Sequence, residues 1–196
     1  MDKLSIVVPC YNEQETVNIF YRETTKVVDA MNMDYEIIFV NDGSCDNTLE
    51  ELVKLHDAHP GIVKVIDFSR NFGKEGGLLA GLENATGNYV TVMDADLQDP
   101  PEYLPKMFET MNQQHVDIVG TRRVTRKGEP KIRSFFARQF YKLINKFTEV
   151  EIVDGARDFR LMTREVVDSV LSLQEYHRFS KGIFAWVGYK TVYLEY

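Results

Sequence analysis

The sequence predicts a single α/β domain with a doubly wound, mostly parallel sheet and helices on both faces. Short apolar runs alternate with longer stretches of helical periodicity as far as Gly120, the pattern of successive βαβ units. Several of those runs end abruptly in polar loops, where an open α/β sheet places its ligand site. Hydrophobic residues make up 44% and aromatics 12% of the 196 residues, enough for one sizeable core.

The elements follow in order. Leu4 to Pro9 (LSIVVP) is a short buried strand, and Glu15 to Met31 a helix with Val17, Phe20, Tyr21, Val27 and Val28 facing inward. Tyr35 to Val40 (YEIIFV) is the second strand. Ser44 or Asp46 caps the next helix, which runs to about His59, because a short oxygen-bearing side chain satisfies free amides there. Val63 to Phe68 is the third strand, Gly73 to Ala85 a glycine-rich helix and Tyr89 to Met93 the fourth strand. Pro101 suits the first turn of a helix reaching about Gln114, and Val116 to Gly120 is a fifth strand. Beyond Gly120 the alternation weakens. Helices are expected over Arg133 to Phe147, Thr163 to Leu173 and Arg178 to Val187, with a closing strand over Thr191 to Leu194.

Charge and cysteine content narrow the function. A net charge of −7 and a pI near 5.2 argue against a general nucleic-acid binder. Residues 122–146 are nevertheless net +8, leaving −15 on the rest, so one anionic partner is expected at one place. Cys10 and Cys45 lack metal or redox spacing and fit a reduced, cytosolic protein. MDKLSIVVP lacks the features of a signal peptide, and no apolar run reaches the ~18 residues that span a bilayer. The expectation is a soluble chain that does not itself cross a membrane.

The run VTVMDADLQDP raises the central question: why a buried strand should end in Asp94, Asp96 and Asp99, with Gln98 among them. Carboxylates packed this closely repel one another and resist desolvation, so something positive is expected there. Pro9-Cys10-Tyr11-Asn12-Glu13 ends the first strand and Asn41-Asp42-Gly43-Ser44 the second, at the same sheet edge. A turn plus a helix cap explains the second cluster alone, and a helix start explains Asn12-Glu13. The third is harder to dismiss, because one cap needs one Asp. Asp94, Asp96 and Gln98 are oxygen donors suited to a hard divalent cation such as magnesium or manganese, and few protein ligands leave positions for a diphosphate. His56 and His59 read as solvated helix-end residues, and His115 and His177 stand alone. The stretch GKEGGLLAGLENATG brings backbone close either to a ligand or to the sheet, and it lacks the spacing of a Walker loop.

With these pieces in view, the chain resembles glycosyltransferase family two, of GT-A fold, and within it the polyprenyl-phosphate sugar transferases, the dolichyl-phosphate-mannose-synthase-like group. SIVVPCYNEQETV, EIIFVNDGSCDNT, FSRNFGKEGGLLAGLENATGNYVTVMDADLQDPPEYL, GTR and DFRLMTREV carry the resemblance, in order, over most of the chain. The resemblance implies a nucleotide-sugar part over about 1–121 and an acceptor and membrane-proximal part over about 122–196. It implies that Pro9, Tyr11, Glu13, Val40 and Asp42 hold the base and ribose of a UDP- or GDP-sugar, and that Asp94 and Ala95 approach the nucleotide and sugar. Asp96 and Gln98 would ligate a magnesium or manganese ion. Arg122 would face the donor's sugar-phosphate or the acceptor phosphate, and Arg133 the phosphate of a polyprenyl acceptor. Asp158 matches a carboxylate regarded as the catalytic base, which with Asp96 and Arg122 completes the expected catalytic set.

Three departures from the pattern stand out. Ala137 replaces a serine common in relatives, which bears on acceptor binding. Arg157 occupies a position commonly small, which bears on the pKa of Asp158. Relatives continue into transmembrane helices and a further basic cluster, whereas this chain stops at Tyr196, leaving Arg178 and Lys181 as late candidates for diphosphate contact.

The expected chemistry is a single inverting displacement by a lipid phosphate at the cytoplasmic face of a membrane. A phosphate monoester carries about −1.5 to −2 charges at neutral pH and hardly requires a base, so Asp158 orients an Arg or the sugar just as well. Within Arg133 to Phe147, Arg138, Lys142 and Lys146 form a basic stripe nearly opposite Phe136, Phe140 and Ile144. That suits an anionic bilayer surface, and equally an ordinary surface helix. A homo-oligomer is compatible with the resemblance. Alternatives are a family-two enzyme with a soluble glycan or protein acceptor, and a non-catalytic nucleotide-sugar-binding domain. A nucleotidylyltransferase or a receiver domain would need motifs that LSIVVPCYNE and FSR do not supply.

Overall fold

A computed structural model describes residues 2–122, 153, 155–173, 175 and 179–195. Strands β1 (Lys3–Cys10), β2 (Asp34–Asn41), β3 (Val63–Asp67) and β4 (Tyr89–Val92) alternate with helices α1 (Val17–Asp29), α2 (Thr48–Ala58) and α3 (Lys74–Asn84). Helix α4 (Tyr103–Gln114) leads to β5 (Ile118–Arg122). Strand β6 (Ala156–Thr163), helices α5 (Arg164–Leu171) and α6 (Ser180–Trp186), and strand β7 (Thr191–Glu195) complete the described elements.

One seven-stranded sheet has the order β3-β2-β1-β4-β6-β5-β7. The pairs β1/β2, β1/β4, β2/β3 and β5/β7 are parallel, while β6 runs antiparallel to both β4 and β5. The sheet is therefore mostly parallel, as expected, with one reversed strand that was not. Strand alternation sends side chains to opposite faces. Leu4, Ile6, Val8, Ile37 and Phe39 meet Phe20 of α1, Leu52 of α2, and Leu104 and Met107 of α4. Val7, Ile38, Val40, Val90 and Val92 meet Leu78 and Leu82 of α3, Val166, Val167 and Val170 of α5, and Ile183 and Phe184 of α6. Gly81 lets α3 lie directly on β1, since a Cβ there would overlap the Val7 side chain. For this part of the glycine-rich helix, the close approach is to the sheet.

Several boundaries differ from expectation for identifiable reasons. Pro101 lies before α4, and the carbonyls of Pro100 and Pro101 accept from Tyr103 and Leu104 N–H in the turn that leads in. Neither candidate cap for α2 holds the N-cap position, which is Asn47 and makes no side-chain cap bond; Asp46, one residue earlier, accepts from Thr48 N–H at Oδ1 at 3.0 Å, while Ser44 Oγ accepts from Asn12 N–H. The fifth strand begins two residues later than expected because Asp117 N–H pairs with Lys190 O ahead of the ladder, and its register shifts between Gly120 and Arg122.

Strand β6 is the element the alternation did not announce. It carries Arg157, Asp158 and Arg160, which interrupt its apolar run. Arg160 is buried because its guanidinium sits 4.1 Å from the centre of the Phe184 ring and donates to the Asp158 and Arg157 carbonyls. The predicted helix over Arg133 to Phe147, the basic residues from Arg123 to Lys146, Ala137, His177 and Arg178 lie outside the described residues. Among the described residues no helix is long and apolar enough to cross a membrane.

Candidate functional site

The carboxyl ends of β1, β2 and β4 reach the same sheet edge, and the reversed β6 brings its amino end there too. Val92 is paired with Arg160 in the antiparallel register, so Asp94, two residues on, comes abreast of Asp158, two residues back. A cleft of about 320 Å³ opens at this edge, lined by Pro9, Cys10, Tyr11, Glu13, Asp42, Asn71, Gly73, Lys74, Asp94, Ala95 and Asp96. Seven residues expected from sequence to hold a nucleotide sugar or ion thus share one wall. Val40 is not among the lining residues: it is fully buried in the core.

Local bonds fix the loops. Asn12, at φ 57°, donates its N–H to Ser44 Oγ at 2.9 Å and accepts from Cys45 N–H at 2.9 Å. Glu13 N–H donates to Thr48 Oγ1 at 2.7 Å, and the Glu13 carboxylate accepts from the Thr16 hydroxyl at the start of α1. The β1 and β2 loops are thereby tied together, with Tyr11 half exposed at the mouth. Asp42 is almost fully buried. Its Oδ1 accepts from Phe72 N–H at 2.6 Å and its Oδ2 from Gly73 N–H at 2.9 Å. This carboxylate sets the entrance to α3, beyond the ligand role expected of it. Gly43, at φ 63°, lies against the Arg70 backbone, which a side chain would strike.

Helix α3 begins at Lys74, and its ammonium answers part of the question posed by the carboxylates. Lys74 Nζ lies 2.6 Å from Asp94 Oδ1 and 2.6 Å from Asp158 Oδ2. Lys181 Nζ lies 3.9 Å from Asp158 Oδ1 and donates to Ala156 O at 2.9 Å. Burial alone would raise the Asp158 pKa, but Lys74 foremost, then Lys181 and Arg160, hold it below the ordinary carboxylate value. The same pairing raises the Lys74 pKa against its own desolvation. Asp158 is thus a weaker base than an ordinary carboxylate. Sequence reasoning passed over Lys74, seeing its glycine-lysine pair only as a failed Walker loop. The available signal was its position at a helix start, behind a loop that needed an anchor.

The acidic loop has its own cation. Arg157 Nε donates to Asp99 Oδ1 at 3.0 Å and its Nη2 to Gln98 Oε1 at 3.2 Å. These two bonds let Arg157 brace the loop. Asp96 Oδ1 accepts from Gln98 N–H at 3.1 Å across Leu97, which adopts φ 55°. Arg122 ends β5 beside Ala156, with its Nη1 3.9 Å from Glu195 Oε1 on β7. That contact draws the side chain toward β7, on the side of β5 away from β6. Arg133 lies outside the described residues. Among the described residues, no three His, Cys, Asp or Glu side chains converge in metal-ligating geometry.

A mostly parallel sheet, helices on both faces and an acidic cleft at its carboxyl edge define a GT-A glycosyltransferase fold. It resembles the mannosyltransferase from Pyrobaculum calidifontis solved with GDP-Man and Mn2+, with a TM-score of 0.64 at 20% identity over 99% of this chain and 55% of that one. It also resembles glucosyl-3-phosphoglycerate synthase from Mycobacterium tuberculosis solved with Mn2+, UDP-glucose and phosphoglyceric acid, with a TM-score of 0.62 at 17% identity over 99% and 70% of the two chains. Residues 5–171 match the family model for glycosyl transferase family 2, and the chain belongs to that family. It is 43% identical to an uncharacterized glycosyltransferase of Synechocystis over 98% of this chain and 60% of the relative. It is 41% identical to the bactoprenol glucosyl transferase of Shigella phage SfX over 99% of this chain and 63% of the relative. The chain spans about three fifths of the length of these curated relatives.

Proposed function

We propose that this chain forms the catalytic region of an inverting, metal-dependent glycosyltransferase. It moves a hexose or N-acetylhexosamine from a UDP- or GDP-sugar to polyprenyl phosphate at the cytoplasmic face of a membrane. The observation that carries the reading is the convergence of Tyr11, Glu13, Asp42, Asp94 and Asp96 on one cleft at the carboxyl edge of the sheet. The bactoprenol glucosyl transferases among the relatives favour glucose and a polyprenyl acceptor.

The donor set fits a hard divalent cation, magnesium or manganese. Asp96 supplies carboxylate oxygen, and Gln98 supplies an amide oxygen that accepts from Arg157 Nη2 at 3.2 Å. A bound cation would neutralise charge growing on the departing nucleoside diphosphate. The remaining work falls to this chain. Pro9, Tyr11, Glu13 and Asp42 shape the nucleotide end, and Asp94 and Ala95 face the sugar. Asp158, pinned by Lys74, orients the reacting groups, because a phosphate nucleophile arrives already deprotonated. Arg122 and Arg133 meet the acceptor phosphate.

Asp96→Asn tests the site. It should abolish manganese-dependent binding of UDP or GDP, read by calorimetry, while the melting temperature without ligand stays within about 2 °C of the parent. Unchanged affinity in manganese would refute the assignment.

A further inference from the structure

We propose that Lys74 is a positioning residue for transfer: its ammonium clamps Asp94, which lines the cleft, to Asp158 on the neighbouring strand β6. The inference rests on the function proposed above. Three observations carry it. Lys74 Nζ lies 2.6 Å from a carboxylate oxygen of Asp94, just past the end of β4, and of Asp158, on the antiparallel strand β6. Its backbone is fixed independently, because Asp42 grips the two preceding amides, Phe72 and Gly73. The neighbouring Glu75 accepts from Ser180 N–H at 3.0 Å and from the Ser180 hydroxyl, anchoring the start of α3 to the start of α6.

The consequence is geometric and electrostatic. Without the ammonium, Asp94 and Asp158 carry two negative charges at close quarters, where a diphosphate donor and a phosphate acceptor must also enter. They would turn away from each other, and the reacting groups would lose their set separation. With it, the pair carries one net negative charge and a set separation. The second cation on Asp158, Lys181, stands 3.9 Å away and is held by the Ala156 carbonyl, so it does not replace the bridge. A small misplacement of reacting groups costs on the order of 100-fold in rate, which sets the size of the effect.

The test follows UDP release from UDP-glucose with manganese, with and without polyprenyl phosphate in detergent micelles. Lys74→Met should lower kcat by about 100-fold while KM for UDP-glucose moves by less than about five-fold. Lys74→Arg, which keeps a cation, should recover at least about ten-fold of that loss. In an Asp158→Asn background, Lys74→Met should cost less than about three-fold further, because the partner it positions is already altered. Full activity in Lys74→Met, a loss confined to KM, or losses that multiply in the double variant would each overturn the proposal. Should Lys74→Met fail to fold, Lys74→Gln takes its place in the single and double variants, with the same results expected and the same results overturning the proposal. A parent that releases UDP equally without polyprenyl phosphate would refute the acceptor while leaving the Lys74 comparison readable. A parent that releases none would overturn both.

Discussion

Arg157 Nε lies 3.0 Å from the Oδ1 of Asp99, a carboxylate only 1% exposed, and the same guanidinium reaches Gln98 Oε1. One side chain from β6 thus braces the loop that carries the acidic cluster. The planar fork reaches both acceptors with a fixed spread of N–H donors that the compact ammonium of lysine does not reproduce. Arg157→Ala should therefore lower stability by about 2 kcal/mol, read as a fall in melting temperature of several degrees. It should also weaken manganese-dependent nucleotide binding, because Asp96 and Gln98 lose their fixed spacing. Arg157→Lys should recover less than half of either loss. A melting temperature unchanged in Arg157→Ala would show that the loop holds itself.

The opposite end of the sheet depends on a buried acid. Glu36, 1% exposed, accepts from Lys3 Nζ and Lys64 Nζ at 2.8 Å, Ser5 Oγ at 2.6 Å and Thr86 N–H at 2.7 Å. Burial pushes its pKa up, but these donors outweigh burial and hold it well below the ordinary glutamate value. A carboxyl whose pKa is lowered by folding contributes stability above its unfolded pKa, near 4.3, and loses it as pH falls further. Glu36→Gln should cost about 2 kcal/mol at pH 7, a figure discounted for the partial exposure of both lysines. The difference from the parent should shrink as pH drops below about 4. Urea titrations at pH 7, 5 and 3.5 would read it, and a constant difference would contradict the role assigned to the charge.

What the sequence disclosed, and what it hid, follows one physical rule. Strands β1, β2 and β4 are buried on both faces and read as continuous apolar runs, so their polar ends stood out, and most of the cleft wall with them. Strand β6 is masked by Arg157, Asp158 and Arg160, whose burial depends on Phe184, Asp99 and Lys74. Those partners lie far away in sequence, and no local pattern announces them. Lys74 was hidden for the same reason, its partners standing 20 and 84 residues away. Val40, which its motif places at the ligand, has its side chain buried in the core.

Asp42 separates a ligand contact from an architectural one. Each of its two oxygens accepts from a different backbone amide, Phe72 and Gly73, and those bonds aim Lys74 into the cleft. Asparagine is nearly isosteric but has only one acceptor oxygen; its NH2 group would face one of the two amides. Asp42→Asn should therefore cost about 1–2 kcal/mol and raise hydrogen exchange at whichever of the two amides loses its acceptor. Turnover should fall further than UDP affinity, because the start of α3 shifts and carries Lys74 with it. If Asp42 acted only by touching the nucleotide, affinity would fall while exchange at Phe72 and Gly73 stayed at the parent's rate. Exchange measured by mass spectrometry on the ligand-free protein distinguishes the two, since the architectural role predicts a change before any substrate is added.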